Sequence, residues 1–124
     1  MTEHGGREAM DRLVRRRAER VALLKEEAER LVQGLIVLGA KRVYQFGSLT
    51  RRPPDLFTDV DLLAIMETDE QFVERLPRIY AQLRPRVAAD ILVYTPREFE
   101  EMRDRPFLRH ALKTAVLRYP EGAA

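Results

Sequence analysis

The chain has 124 residues, 45% of them apolar and 34% charged, which suits one globular domain with a buried core rather than a disordered or membrane protein. A net charge of +2 is too small to argue for nucleic acid, and no apolar run is long enough to cross a bilayer. With no cysteine and two remote histidines, a zinc site of the usual ligands is excluded, so any metal should be a hard cation held by carboxylates.

The first residues lack the basic-then-apolar pattern of a secretory leader, and cytoplasmic residence is the expectation. From Arg7 to Leu38, apolar residues such as Met10, Val14, Val21, Leu24, Leu31 and Leu35 recur at three- and four-residue steps, the period of a long helix that Gly39 stops. Arg15, Arg16 and Arg17 form the most basic cluster, but Glu19, Glu26 and Glu27 follow closely, so the spacing reads as a solvated, ion-paired face. This helix is assigned to partner binding or self-association.

Lys41 to Phe46 reads as a first strand running into Gly47. The stretch from Leu49 to Thr58 is a loop, because Pro53 and Pro54 suit neither a helix interior nor a central strand. Val60 to Met66 is a second strand, apolar on both faces, as in a sheet covered on two sides. Thr68 or Asp69 caps a helix to about Leu83, with Phe72, Leu76, Ile79, Tyr80 and Leu83 facing inward and Pro77 kinking or restarting it. Val87 to Tyr94 is a third strand. "TPRE" at 95–98 is a capping box, another helix starts near Pro106, and "AVLRY" at 115–119 closes the chain as a strand. His110 is read as a structural residue of that helix, and the four tyrosines as core or core-edge aromatics.

The chemistry-bearing residues lie at the strand mouths. Asp59 and Asp61, two apart on a strand, project from one face. Their mutual repulsion is on the order of 3 kcal/mol at an effective dielectric near 20, which calls for a cation between them. Asp90 opens "DILVY" as Asp61 opens "DLLAIM". A strand–helix–strand crossover makes the two strands parallel and aligns their starts. If the first strand pairs antiparallel with the second, Gly47 and Ser48 face the same edge. Glycine lets backbone N–H groups approach an anion closely, Ser48 adds a donor, and Arg51 offers a fork for phosphate oxygens. Three acids for two Mg²⁺ ions opposite a phosphate-cradling turn are the parts of in-line displacement at phosphorus.

Gly-Ser, ten residues, then Asp-Val-Asp resembles the signature of the DNA polymerase β-like nucleotidyltransferase superfamily, in particular its minimal nucleotidyltransferases. The resemblance extends through Asp90 to about the chain's end. It implies a nucleotidyltransferase-like α/β (α+β) fold: a small mixed sheet with helices packed on it and a long N-terminal helix. A single domain over 1–124 is expected, with the helix at 7–38 and the catalytic core at 41–119.

By position, the resemblance implies that Asp59, Asp61 and Asp90 are catalytic and metal-binding, with Asp90 helping to activate an acceptor hydroxyl. Gly47, Ser48 and Arg51 would bind the phosphates of ATP or another nucleoside triphosphate. It further implies transfer of NMP, chiefly AMP, to a hydroxyl on a partner, as in antitoxins paired with helical HEPN-type ribonuclease toxins. A catalytically silent binding module and an aminoglycoside-type small-molecule transferase are the alternatives.

Overall fold

A computed structural model describes residues 2–47 and 60–120, with side chains from Gly5 onward. The long helix α1 spans Thr2–Val37 and is followed by strand β1 at Arg42–Phe46. Strand β2 (Val60–Ile65), helix α2 (Phe72–Leu83) and strand β3 (Ala89–Tyr94) come next. The described chain ends with helices α3 (Pro96–Met102) and α4 (Pro106–Thr114) and strand β4 (Val116–Tyr119).

The four strands form one mixed sheet in the order β3-β2-β1-β4. β2 pairs parallel with β3, while β1 pairs antiparallel with both β2 and β4. The architecture is the expected mixed α/β one. Apolar residues on both faces of β2 are explained by two cores. Val60, Leu62 and Ala64 pack with Leu24, Leu31 and Leu35 of α1 and Ile79 of α2. Leu63 and Ile65 face the other way, toward Phe99 of α3 and Leu108 of α4.

Individual boundaries shift for local reasons. α1 begins at Thr2, since Gly5 and Gly6 are carried inside the helix instead of ending it. Its 36 residues span about 54 Å, far more than the sheet needs. Burial begins only at Leu24, and Met10, Leu13 and Val14 remain exposed. The neighbouring arginines, Arg12 to Arg20, form no ion pair with a described residue, so the face is solvated but not ion-paired. An exposed i,i+4 pair returns only about 0.3–0.5 kcal/mol, so little is lost when these side chains stay in water.

α2 is capped by Gln71 and not by Thr68 or Asp69. The Thr68 hydroxyl instead accepts from the Glu70 N–H at 3.1 Å, a turn that precedes the helix. The helix runs through Pro77 without restarting. The carbonyl that Pro77 cannot bond is that of Val73, a residue on the exposed side of the helix. β3 starts at Ala89, two residues later than its apolar pattern suggested. The capping box at Thr95 is complete: the Glu98 N–H donates to the Thr95 hydroxyl at 3.2 Å and the Thr95 N–H to the Glu98 carboxylate at 2.8 Å. His110 is exposed on α4 while Leu108 and Ala111 carry its packing. Tyr94 is buried, and Tyr44, Tyr80 and Tyr119 pack at core edges.

Two buried charges tie the layers together. Glu27 of α1 grips Arg30 at 2.6 and 2.8 Å and accepts the Arg86 N–H at 2.5 Å. Arg30 in turn donates to the Leu83 and Arg84 carbonyls at the end of α2. Arg75 of α2 is buried and donates to Glu98 at 2.5 Å, to the Val93 carbonyl at 3.0 Å and to the Glu70 carbonyl at 2.6 Å. Gly34 makes the α1–α2 contact close, because a Cβ there would meet Leu83 Cδ2 at 2.4 Å.

Candidate active site

Pairing register decides where the acids go. In the parallel β2–β3 ladder Asp61 is the direct partner of Asp90, and in the antiparallel β1–β2 ladder it is the partner of Phe46. Directly paired residues put their side chains on one face of a sheet, with adjacent strands about 4.8 Å apart. Asp61 and Asp90 therefore stand side by side on the face that carries Leu63, Leu92, Tyr44 and Phe46. They occupy its end, beyond the cover of the apolar cluster: Asp61 is half-buried and Asp90 exposed.

Gly47 closes this corner. Its φ of +86° lies in the left-handed region, and a Cβ built there would sit 2.0 Å from Asp61 Oδ2 and 3.0 Å from Asp61 Cγ. The Asp61 carboxylate thus fills the space that any other side chain would need. The glycine is required both for the turn and for the approach of the carboxylate.

Of the six site residues expected from the sequence, Gly47, Asp61 and Asp90 are brought to one edge, while Ser48, Arg51 and Asp59 lie outside the described residues. No cluster of three metal-ligating side chains is found among the described residues. What they contribute is a pair of adjacent carboxylates with oxygen donors only. That donor set fits a hard divalent cation such as Mg²⁺, which takes one or two protein carboxylates and completes its shell with water and phosphate oxygens. The Asp90 side chain forms no hydrogen bond or ion pair with a described residue, so the charge of this carboxylate is not already spent on a described arginine or lysine.

Two sets of side-chain contacts to β3 were not legible in the sequence, one beside Asp90 and one toward the far end of the strand. The Tyr80 hydroxyl donates to the Ala89 carbonyl at 3.0 Å and accepts the Ile91 N–H at 2.7 Å, on either side of Asp90. Helical spacing places Tyr80 on the inward face of α2 but does not reveal its hydroxyl partners. Arg75 occupies the same inward stripe, one step from Phe72 and Ile79, and that position was the available sign that its charge is buried.

A depression of about 290 Å³ lies at the opposite end of the strands and is lined by Lys41, Ile65, Glu67, Phe99 and Glu100 among others. Lys41 and Glu67 pair across it at 3.5 Å, and both are exposed. Four residues of strand, about 13 Å, separate Ile65 from Asp61. This depression contributes nothing to the acid edge.

No described helix is long and apolar enough to cross a membrane. The sequence matches no protein-family model and no curated protein. Among solved structures, the fold is similar to the 1.40 Å crystal structure of a "putative nucleotidyltransferase" from Sulfolobus solfataricus. The two share 19% identity over 82% of this chain and 84% of that one, with a TM-score of 0.57. The mixed sheet with its long N-terminal helix is therefore a nucleotidyltransferase-like fold.

Proposed function

We propose that the protein is a divalent-metal-dependent nucleotidyltransferase that moves NMP, chiefly AMP, from a nucleoside triphosphate to a hydroxyl group. The observation that carries this reading is the in-register pairing of Asp61 with Asp90 on adjacent parallel strands, with Gly47 packed against the Asp61 carboxylate. The likeness in fold supports it at the level of architecture.

In this reading Asp61 and Asp90, with Asp59, would hold two Mg²⁺ ions, which when bound would neutralise the acids and stabilise the attacking and departing oxygens. Gly47, Ser48 and Arg51 would bind the terminal phosphates, as the resemblance implies. The acceptor oxygen attacks the α-phosphorus as the bond from that phosphorus to the oxygen bridging toward the β-phosphate breaks. Asp90 takes the hydroxyl proton, and pyrophosphate leaves with the electron pair of the broken bond.

The resemblance of the Gly-Ser and Asp-Val-Asp pattern to minimal nucleotidyltransferases supports a finer assignment: the acceptor is a side chain of a helical HEPN-type partner, and the protein is the cytoplasmic antitoxin that modifies it. Incubation of the two proteins with α-phosphate-labelled ATP and Mg²⁺ should label the partner, and Asp61→Asn should reduce labelling below detection without unfolding the chain. Undiminished labelling by Asp61→Asn would refute the assignment of the site. A second reading, neutralisation by occlusion alone, draws on the exposed Met10, Leu13 and Val14 of α1. It prevails if a tight complex forms and the partner's mass never changes.

A further inference from the structure

Among the described strands β3 lies at the edge of the sheet, so one side of its backbone has no described strand to bond. Helix α2 covers that side at two points. Arg75 donates to the Val93 carbonyl at 3.0 Å, and the Tyr80 hydroxyl bridges Ala89 and Ile91. Only the second point adjoins an acid of the candidate site, and it brackets Asp90 from both sides.

The bridge uses both capacities of a phenol. One O–H donates to the carbonyl before Asp90, and one lone pair accepts from the amide after it. Since Ile91 is buried and the Tyr80 ring packs against the larger core, the hydroxyl is a fixed point relative to the sheet. The peptide units flanking Asp90 are thus held by a side chain that never reaches the carboxylate itself.

We infer that Tyr80 is a positioning residue for the divalent-metal site: its hydroxyl pins the β3 backbone so that the Asp90 carboxylate stays in register beside Asp61. This rests on the reading of Asp61 and Asp90 as metal ligands. Groups that orient ligands indirectly typically change metal affinity by 10–100-fold. By linkage, if the bridge favours metal binding, bound metal must strengthen the bridge equally.

The test compares the full chain with Tyr80→Phe and Asp61→Asn, using Mn²⁺ alone as the probe and the paramagnetic resonance of the free ion to read its affinity. Tyr80→Phe should weaken Mn²⁺ binding about 10-fold while the cooperative thermal transition is kept. Equal affinity in wild type and Tyr80→Phe, with Asp61-dependent binding intact, would overturn the role of Tyr80 alone. Lack of Asp61-dependent binding in the wild type would overturn the metal reading and this inference together. A second measurement needs no variant: saturating Mg²⁺ should slow hydrogen exchange at the Ile91 amide of the wild-type chain. Exchange at Ile91 that ignores Mg²⁺ would also overturn the role of Tyr80.

Discussion

Gly47 and Asp61 occupy one another's space, and the consequence is sharp for substitution. Gly47→Ala places a methyl group where Asp61 Oδ2 lies and forces alanine to a φ of +86°. The left-handed backbone alone costs about 1–2 kcal/mol. The carboxylate must also move, so chemical denaturation should show a lower midpoint and Mn²⁺ affinity should fall together with it. An unaltered affinity in Gly47→Ala would mean that the corner does not hold metal. The carboxylate pair was visible from the sequence because both aspartates open apolar strands, and strand period plus parallel alignment fix their face. The overlap of Gly47 with Asp61 was not, because it depends on the exact φ of one residue where the chain leaves β1.

At the scale of elements, arginine–glutamate contacts tie α1 to the end of α2, and α2 to its own leading turn, to β3 and to α3. The hydrogen bond from Arg30 holds the Glu27 carboxyl below the usual glutamate range, and the hydrogen bond from Arg75 does the same for Glu98. Arg78 acts likewise on Glu70. A depressed folded-state pKa contributes stability above the unfolded value and loses it as pH falls through the folded one. Thermal midpoints should therefore be level above about pH 5 and drop as pH falls below the ordinary glutamate range near 4.5. In Glu27→Gln that acid-side drop should be shallower, and an identical slope would dismiss the clamp.

Glu98 also completes the α3 cap, and Arg75 is the more buried partner of their pair. Glu98→Ala should cost on the order of 3 kcal/mol in urea unfolding, because it leaves a buried guanidinium without its counter-charge. Arg75→Met should cost less, since Glu98 can turn to water and keep its cap. The reverse order would contradict this account of the pair. The Thr95 cap was legible because its chemistry is local, spanning four residues. The Arg75 contacts were not, because they join α2 to the start of α3 across the sheet edge.

For the whole molecule, the sheet needs only the second half of α1. No residue before Leu24 among those described is fully buried, so removal of residues 1–18 should leave a cooperative fold with a midpoint within about 5 °C of the intact chain. Scanning calorimetry would show it, and a non-cooperative trace would mean that the overhang carries structural weight. Helical period revealed α1 readily, but period alone could not tell which half meets a core. Alternation and crossover rules likewise yielded the two-faced mixed sheet, since β2 is too apolar to face water on either side.

The central proposition is that divalent cations collect where β2 and β3 begin and β1 ends. Paramagnetic broadening of amide resonances by sub-stoichiometric Mn²⁺ tests it most directly. The account predicts selective loss of the Phe46, Gly47, Asp61 and Asp90 signals, with those of Lys41, Glu67 and Glu100 at the far end of the strands preserved. Broadening centred on that far end, or spread evenly over the surface, would contradict it.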